Sequence, residues 1–233
     1  MKIALIKELF ISGIQPEVRE AILEAARTYE GLGAQIVELS MPSLKYALPA
    51  YYVISSAEAS SNLARYDGIR YGYRATGYSN VQELYKKSRS EGFGSEVKRR
   101  IILGTFALSS GYSKQYYEKA LAAKALISAE FKAVLETCSL ILSPTVGNTA
   151  FSLNEKINTP DKMYQNDGYT APVNLAGLPA ISIPCGIDDN YLPIGMQLIG
   201  GFLDESSIFQ AAYAFEKEMG TFKDFKARKE AAL

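Results

Sequence analysis

The chain has 233 residues, 48% hydrophobic and 21% charged, the balance of an ordinary globular protein with room for one large core or two small ones. Its 25 Lys and Arg match its 25 Asp and Glu, with no long basic run, which argues against a chain that holds nucleic acid by its own electrostatics. Histidine is absent, so His-based triads and His-ligated metals are excluded, and two distant cysteines, Cys138 and Cys185, make neither a zinc site nor a disulfide framework.

No apolar run approaches the ~20 residues that span a bilayer, so no membrane partner is expected. The opening Met1-Lys2-Ile3-Ala4-Leu5-Ile6 is cut short by Lys7-Glu8 and does not read as a signal peptide. A reducing cytoplasm is the expectation.

Lys2 to Ile6 reads as a first strand. Pro16-Glu17 opens a helix with Pro and an acid in its first turn. Val18, Ile22, Ala25, Ala26 and Tyr29 form its apolar stripe, and Gly31 and Gly33 end it. Gln35 to Leu39 is the next strand, giving a β-α-β unit with a parallel pair. A long helical segment is expected from about Leu44 to Tyr66. The run Tyr66 to Arg74 breaks helical periodicity with two glycines, and Ala75 to Val81 is a loop. Short helices follow at Gln82–Ser90 and Ser95–Ser110. Ser113 to Thr137 has helical composition, with Tyr117, Leu121, Ala125, Ile127 and Phe131 expected on its buried side.

Leu140-Ile141-Leu142 begins the stretch around which the chain is organised. This apolar run ends at Ser143-Pro144-Thr145, and a polar loop leads to Asn166-Asp167-Gly168. Thr170 is a suitable N-cap, Pro172 sits in the first turn, and Gly177 suits a left-handed stop. Two short apolar runs, Ala180 to Gly186 and Pro193 to Gly200, flank the turn cluster Asp188-Asp189-Asn190 and predict a hairpin. Asp204 caps a last amphipathic helix with Ile208, Phe209, Ala212 and Phe215 inward. The charged tail from Lys223 is expected to fray. Residues 1–233 read as a single α/β domain.

Arg100 lies beside the apolar stripe of its helix, while Arg99, rotated by about 100°, faces solvent. Gly104 and Ala107 lie one and two turns further on, leaving room for a ligand carboxylate on the guanidinium. The plain alternative is a structural ion pair. Asp167 is either an Asx-turn cap or the counter-ion of a ligand ammonium. Tyr51 and Tyr52 point in different directions, so one packs and the other is able to present its hydroxyl. The pairs Ser55-Ser56, Ser60-Ser61 and Ser109-Ser110 sit on no glycine-rich elbow and read as packing residues. Cys185, at a strand end, reads as a small buried hydrophobe.

Several motifs carry a resemblance. They are Ala57-Glu58-Ala59-Ser60-Ser61-Asn62-Leu63-Ala64-Arg65-Tyr66-Asp67-Gly68-Ile69-Arg70-Tyr71-Gly72, Gly104-Thr105-Phe106-Ala107-Leu108-Ser109-Ser110-Gly111-Tyr112, Pro172-Val173-Asn174-Leu175-Ala176-Gly177-Leu178-Pro179 and Gly195-Met196-Gln197-Leu198-Ile199-Gly200. From Met1 to about Gly220 the chain resembles the C-terminal half of the amidase-signature family, and within it the glutamine-hydrolysing subunits of tRNA-dependent amidotransferases. The resemblance implies an α/β fold with a mixed sheet flanked by helices. It implies a protein that hydrolyses glutamine and passes ammonia to its partners, the B and C subunits of the amidotransferase. Those partners amidate Glu-tRNA(Gln) or Asp-tRNA(Asn) using ATP and Mg, and this chain needs no cofactor of its own.

By motif position, Arg100 and Asp167 look like the holders of glutamine's carboxylate and ammonium, and Tyr51 like the Tyr near its amide. The family's Lys, its Ser in a cis-peptide and its nucleophilic Ser lie in a Gly/Ser-rich region N-terminal to the part matched here. No Gly-Gly-Ser-Ser-Gly-like segment occurs in this chain. Catalytic residues are therefore expected from an N-terminal half of the glutamine-hydrolysing subunit, and tRNA is met indirectly through the partner. Two alternatives stand beside this reading: a non-catalytic module that binds an amino acid or a partner, and a piece of a general amidase.

Overall fold

A computed structural model describes residues 1–10, 13–153 and 166–231, with side chains to residue 227. The polar loop expected before Asn166 lies largely outside the described residues. Where the sequence reading drew one domain, contacts gather the chain into two compact units, residues 1–48 with 124–233, and residues 49–123.

The first unit holds a five-stranded mixed sheet in the order β2-β1-β3-β5-β4. β1 (Lys2–Ile6) pairs in parallel with β2 (Gln35–Leu39) on one side and with β3 (Leu140–Pro144) on the other. β3 and β4 (Ala180–Ile187) each pair antiparallel with β5 (Pro193–Gly200), so the expected β-α-β unit and hairpin are both present. Asp188 closes the hairpin by accepting from the amides of Asn190 and Leu192, each at 2.8 Å.

Helix α1 (Pro16–Gly31) buries Val18, Ile22, Ala25, Ala26 and Tyr29, the stripe read from its 3.6-residue period. They meet Ile3, Leu5, Leu140, Leu142, Met196 and Leu198 on one face of the sheet. Alternation turns Ala4, Ile6, Ile141 and Ile199 to the other face, where they are also fully buried, so the central strands are covered on both sides.

The second unit carries most of helix α2 (Ala47–Leu63), then α3 (Val81–Gly92) and α4 (Ser95–Leu108), and the beginning of α5 (Tyr117–Thr137). A short 3-10 turn at Pro42–Tyr46 precedes α2, and α2 stops at Leu63, so the long helical segment expected to Tyr66 is shorter. Asn80 caps α3 by accepting from the Glu83 amide at 3.0 Å. Glu83 accepts in return from the Ser79 hydroxyl and amide, and these bonds, with Lys87, hold its carboxyl at about 2.

Two expectations about buried faces and one about the charged tail need correction. On α5 the buried residues are Ala120, Ile127, Phe131 and Val134, whereas Leu121 and Ala125 are exposed. The steps of seven, four and three keep one face, while a run of four-residue steps from Tyr117 drifts off it. On α7 (Glu205–Met219), Ala211 is buried beside Ile208, Ala212 and Phe215, and Phe209 is 62% exposed because one residue from Ile208 is a 100° rotation. The charged tail is not frayed through the described residues. It forms α8 (Phe222–Ala231), capped by Asp224 through the Thr221 amide at 2.7 Å and anchored by buried Phe225.

The Ser-rich segment of α2 is a packing surface, as expected. A methyl group added at Gly104 of α4 would lie 1.9 Å from the Ser56 carbonyl oxygen and 2.8 Å from the Ser60 hydroxyl. Gly104 is thus spent on the crossing of two helices, not on room for a ligand. Gly104→Ala, which in an open helix would add roughly 1 kcal/mol, should instead cost about 1–3 kcal/mol by overpacking. Urea unfolding followed by tyrosine fluorescence checks the sign, with Gly111→Ala, where a methyl meets nothing, as the control.

Cys185 is buried, and burial pushes its thiol up to about 12. A raised thiol pKa leaves it neutral at pH 8, with thiolate roughly a thousandfold scarcer than for a free cysteine. Iodoacetamide should therefore spare Cys185 in the native protein and modify it in denaturant, as peptide mass mapping will report.

Candidate functional site

Arg100 sits in the second turn of α4 and is about a quarter exposed. Its Nε donates to Glu96 Oε1 at 3.1 Å, a pair one turn apart. Its guanidinium lies over the ring of Tyr52, 5.8 Å from the centroid. Tyr51 and Tyr52 stand edge to face with centroids 5.1 Å apart. Burial works to lower the Arg100 pKa. The Glu96 carboxylate and the Tyr51 hydroxyl more than offset it, and the guanidinium stays above its usual value.

Two of the three sequence-predicted residues, Arg100 and Tyr51, therefore come together in the second unit. The structural ion pair named as the plain alternative is present too. Sequence reasoning missed Glu96 as its partner, although an acid four residues before an Arg on a helix is a readable signal. Arg99 is half exposed, and it shares Glu96 at 3.3 Å.

Asp167 belongs to the first unit. Its carbonyl accepts from the Ala171 amide at 2.9 Å, which places it in the turn leading into α6 (Ala171–Ala176). Thr170 occupies the cap position but its hydroxyl makes no capping bond, whereas Gly177 does end the helix in the left-handed conformation, at φ 71°. Asp167 is partly buried, between Asn166 and Gly168. Those two neighbours and Tyr169 line a cavity of about 370 Å³, with Glu8, Leu9, Leu44, Lys45 and Asn148 on its other sides.

Polar groups on the sheet hold this region in place. Gln197 of β5 is 5% exposed and donates to the Ser143 hydroxyl and to the Tyr169 carbonyl, both at 3.2 Å. A buried glutamine bonded to β3 and to the segment after Asp167 fixes where that segment runs. The hydroxyls of Thr145, just past β3, and Ser182 of β4 meet at 2.7 Å. Gln15 accepts from the Thr149 amide at 2.8 Å, and Thr149 donates to Asp188 at 2.8 Å, which ties the loop after β3 to α1 and to the hairpin turn. Glu8, on the cavity wall, accepts from the Met41 amide at 2.8 Å and from the Ser40 hydroxyl. Burial works to raise its pKa, but these bonds outweigh it and keep the carboxyl below its usual range. Of these supporting residues the sequence marked Asp188, as part of the hairpin turn, while Gln197 was quoted in a motif without a supporting role being read for it.

Chemically, the second unit offers a guanidinium oriented by an acid and an aromatic face, suited to a carboxylate. The first unit offers a carboxylate beside a cavity, suited to a cation. Among the described residues no cluster of three His, Cys, Asp or Glu is placed to hold a metal.

Comparison with known proteins fits this inventory. The family described as Amidase matches residues 1–209. The A subunit of glutamyl-tRNA(Gln) amidotransferase from Brevibacillus brevis is 53% identical over 222 residues, which is 95% of this chain and 45% of that protein. Its counterpart of the same name from Caldanaerobacter subterraneus subsp. tengcongensis is 54% identical over 93% of this chain and 44% of its own length. The crystal structure of the glutamyl-tRNA(Gln) amidotransferase A subunit from Thermotoga maritima superposes with a TM-score of 0.70 at 40% identity, covering 93% of this chain and 42% of that one. A bacterial aryl acylamidase of the amidase-signature family, 20% identical with a TM-score of 0.67, shares the fold. The chain spans less than half the length of these relatives. With the family matched over nearly all of its length, the chain belongs to the amidase family.

Proposed function

We propose that this chain is the glutamine-recognising part of the ammonia-supplying component of a tRNA-dependent amidotransferase. One observation carries the reading: identity of 53–54% over 93–95% of the chain to proteins named as the A subunit of glutamyl-tRNA(Gln) amidotransferase. The Arg100 guanidinium grips the α-carboxylate of glutamine through its Nη groups, while Glu96 keeps hold of Nε. Asp167 takes the α-ammonium, and the Tyr51 hydroxyl stands beside the side-chain amide. Ammonia released from that amide passes to the partner B and C subunits, where ATP and Mg serve the amidation of Glu-tRNA(Gln) or Asp-tRNA(Asn). The tRNA is held chiefly by those partners. A cytoplasmic setting suits this work, and no helix among the described residues is long and apolar enough to cross a membrane.

The nucleophile and its Lys belong to a segment equivalent to the N-terminal half of these relatives, a partner for this one whether the two lie in one polypeptide or in two. Support for a partner of that kind comes from apolar side chains left in solvent: Ile102, Leu103 and Phe106 on α4 are 69%, 52% and 44% exposed, and Phe209 and Tyr213 on α7 are 62% and 69% exposed. β2 and β4 are also the two edges of the sheet, where unpaired backbone groups invite another strand.

Purified alone, the chain should release no ammonia from glutamine, because it carries no activated nucleophile. It should also self-associate, as sedimentation velocity will show. Co-expression with the N-terminal half of a close relative should yield a complex that hydrolyses glutamine. In that complex Arg100→Ala should raise KM roughly 10- to 150-fold, the loss of a charged hydrogen bond. Hydrolysis by the lone chain that vanishes on replacing one of its own serines, or a complex indifferent to Arg100→Ala, would overturn the reading.

A further inference from the structure

The balanced charge of the whole chain conceals two unlike parts. Residues 49–123 hold eleven Lys and Arg against six Asp and Glu, a net +5, which leaves fourteen against nineteen, a net −5, for the rest. The same 75-residue unit holds ten of the chain's sixteen tyrosines. The two enrichments meet in the segment between α2 and α3. Tyr66, Tyr71, Tyr73 and Tyr78 are each 38–53% exposed there. Arg65, Arg70 and Arg74 alternate with them and are exposed as well, against the single acid Asp67.

This segment is irregular in backbone but firmly held. Asp67 accepts from the Ile69 amide at 2.9 Å and the Arg70 amide at 3.2 Å, making a turn. Arg89 of α3 donates to the Leu63 carbonyl at 2.8 Å and to the Tyr66 carbonyl at 3.1 Å, which closes the C-terminal end of α2. The Ala75 amide donates to the buried Ser88 hydroxyl at 3.1 Å, and Tyr73 donates to Glu91. A methyl at Gly68, which has φ +80°, would strike Ser88 at 2.4 Å, so the segment lies flush on α3. The aromatic rings are thus presented at small entropic cost.

Two of the presented rings are coupled to a cation. Arg70 lies over Tyr71 at 5.8 Å and Arg74 over Tyr78 at 5.6 Å from the ring centroids. Solvent-facing tyrosines backed by arginines on a basic unit are the combination that binds unpaired nucleotides: bases stack on the rings, and guanidinium groups meet phosphates. Tyrosine and arginine also mark protein interfaces, but the buried centre there is predominantly apolar. On this unit the apolar strip is Ile102, Leu103 and Phe106 of α4, a separate helix, and the segment between α2 and α3 has only Ile69 as an exposed large aliphatic.

We propose that residues 66–78, backed by α3, form a surface for single-stranded nucleic acid, with bases stacked on Tyr71 and Tyr78 and phosphates met by Arg65, Arg70, Arg74 and Lys86. This surface is independent of the glutamine reading. It adds a direct nucleic-acid contact on the chain itself.

Fluorescence anisotropy of the full chain with a fluorescein-labelled oligouridylate of about 12 nucleotides tests it, a length within the usual site size. Binding should weaken with salt, with a log–log slope of about −0.7 per phosphate contacted. Tyr71→Ala and Tyr78→Ala should each weaken it about fivefold to a hundredfold, as expected for a lost base stack. Tyr71→Phe, which keeps the ring, should bind like the parent. Arg70→Gln should flatten the salt slope by about 0.7, one phosphate contact. A DNA oligothymidylate in the same assay shows whether the ribose hydroxyl is read; either sugar supports the surface. Absence of binding at low salt overturns the proposal. So does binding that ignores both Ala variants, which would be unspecific attraction to a basic unit. Loss of assembly with partner proteins in the Ala variants, with no oligonucleotide bound by the parent, would make the surface a protein interface and equally overturn it.

Discussion

Strand β3 is the constraint on which the first unit depends. It accepts a parallel neighbour on one side and an antiparallel one on the other, and all five of its residues are buried. A strand with two hydrogen-bonded neighbours and two covered faces has no freedom of register, because a slip of one residue would turn Leu140 and Leu142 from the α1 face to the opposite one. Everything that shapes the cavity region follows from this fixed line. Ser143 is carried in register opposite Gln197, and Gln197 in turn holds the Tyr169 carbonyl. The loop leaving β3 is pinned by Gln15 and by Asp188 through Thr149. Asp167 thus sits in a turn whose position is set by buried polar bonds and not by its own contacts alone.

The second unit depends on a different constraint, close approach of two helices. Gly104 lets the α4 backbone reach the Ser56 carbonyl, a contact that no larger residue permits. Arg100 lies one turn earlier on the same helix. Sequence spacing correctly put Arg100, Gly104 and Ala107 on one face, yet the small residues turned out to serve the helix crossing. Periodicity tells which residues share a face; it does not tell whether a ligand or another helix fills the space above them.

What was legible in the sequence follows one rule. The α1 stripe, the parallel pair, the hairpin around Asp188 and the left-handed stop at Gly177 are all encoded within a few residues, so local pattern found them. The buried face of α5 was misread because that helix is apolar on more than one side, and only tertiary contact selects Ile127 and Phe131 over Leu121 and Ala125. The helix after Lys223 was misread because its charge hid a cap at Asp224 and an anchor at Phe225. Whole-chain charge is uninformative for a related reason: a sum of zero is silent about a +5 unit and a −5 remainder, and only the division of contacts shows where to draw the line. Glu96 beside Arg100 was readable from spacing and was passed over.

The Glu96–Arg100 pair also shows that the two readings of Arg100 are not rivals. A partly exposed Glu–Arg pair one turn apart is worth about 0.3–0.5 kcal/mol. A carboxylate that accepts charged hydrogen bonds from a guanidinium gains about 1.5–3 kcal/mol. An internal pair of the smaller size cannot exclude a ligand of the larger. It does engage Nε and turn the plane of the guanidinium, with the Tyr52 ring beneath it. Arg presents five donors in a fixed fork, so the bonds to Glu96 at Nε and to the Tyr51 hydroxyl still leave donors on the Nη groups for an incoming carboxylate. Under the proposed glutamine reading, the weak ion pair is the device that aims the strong one.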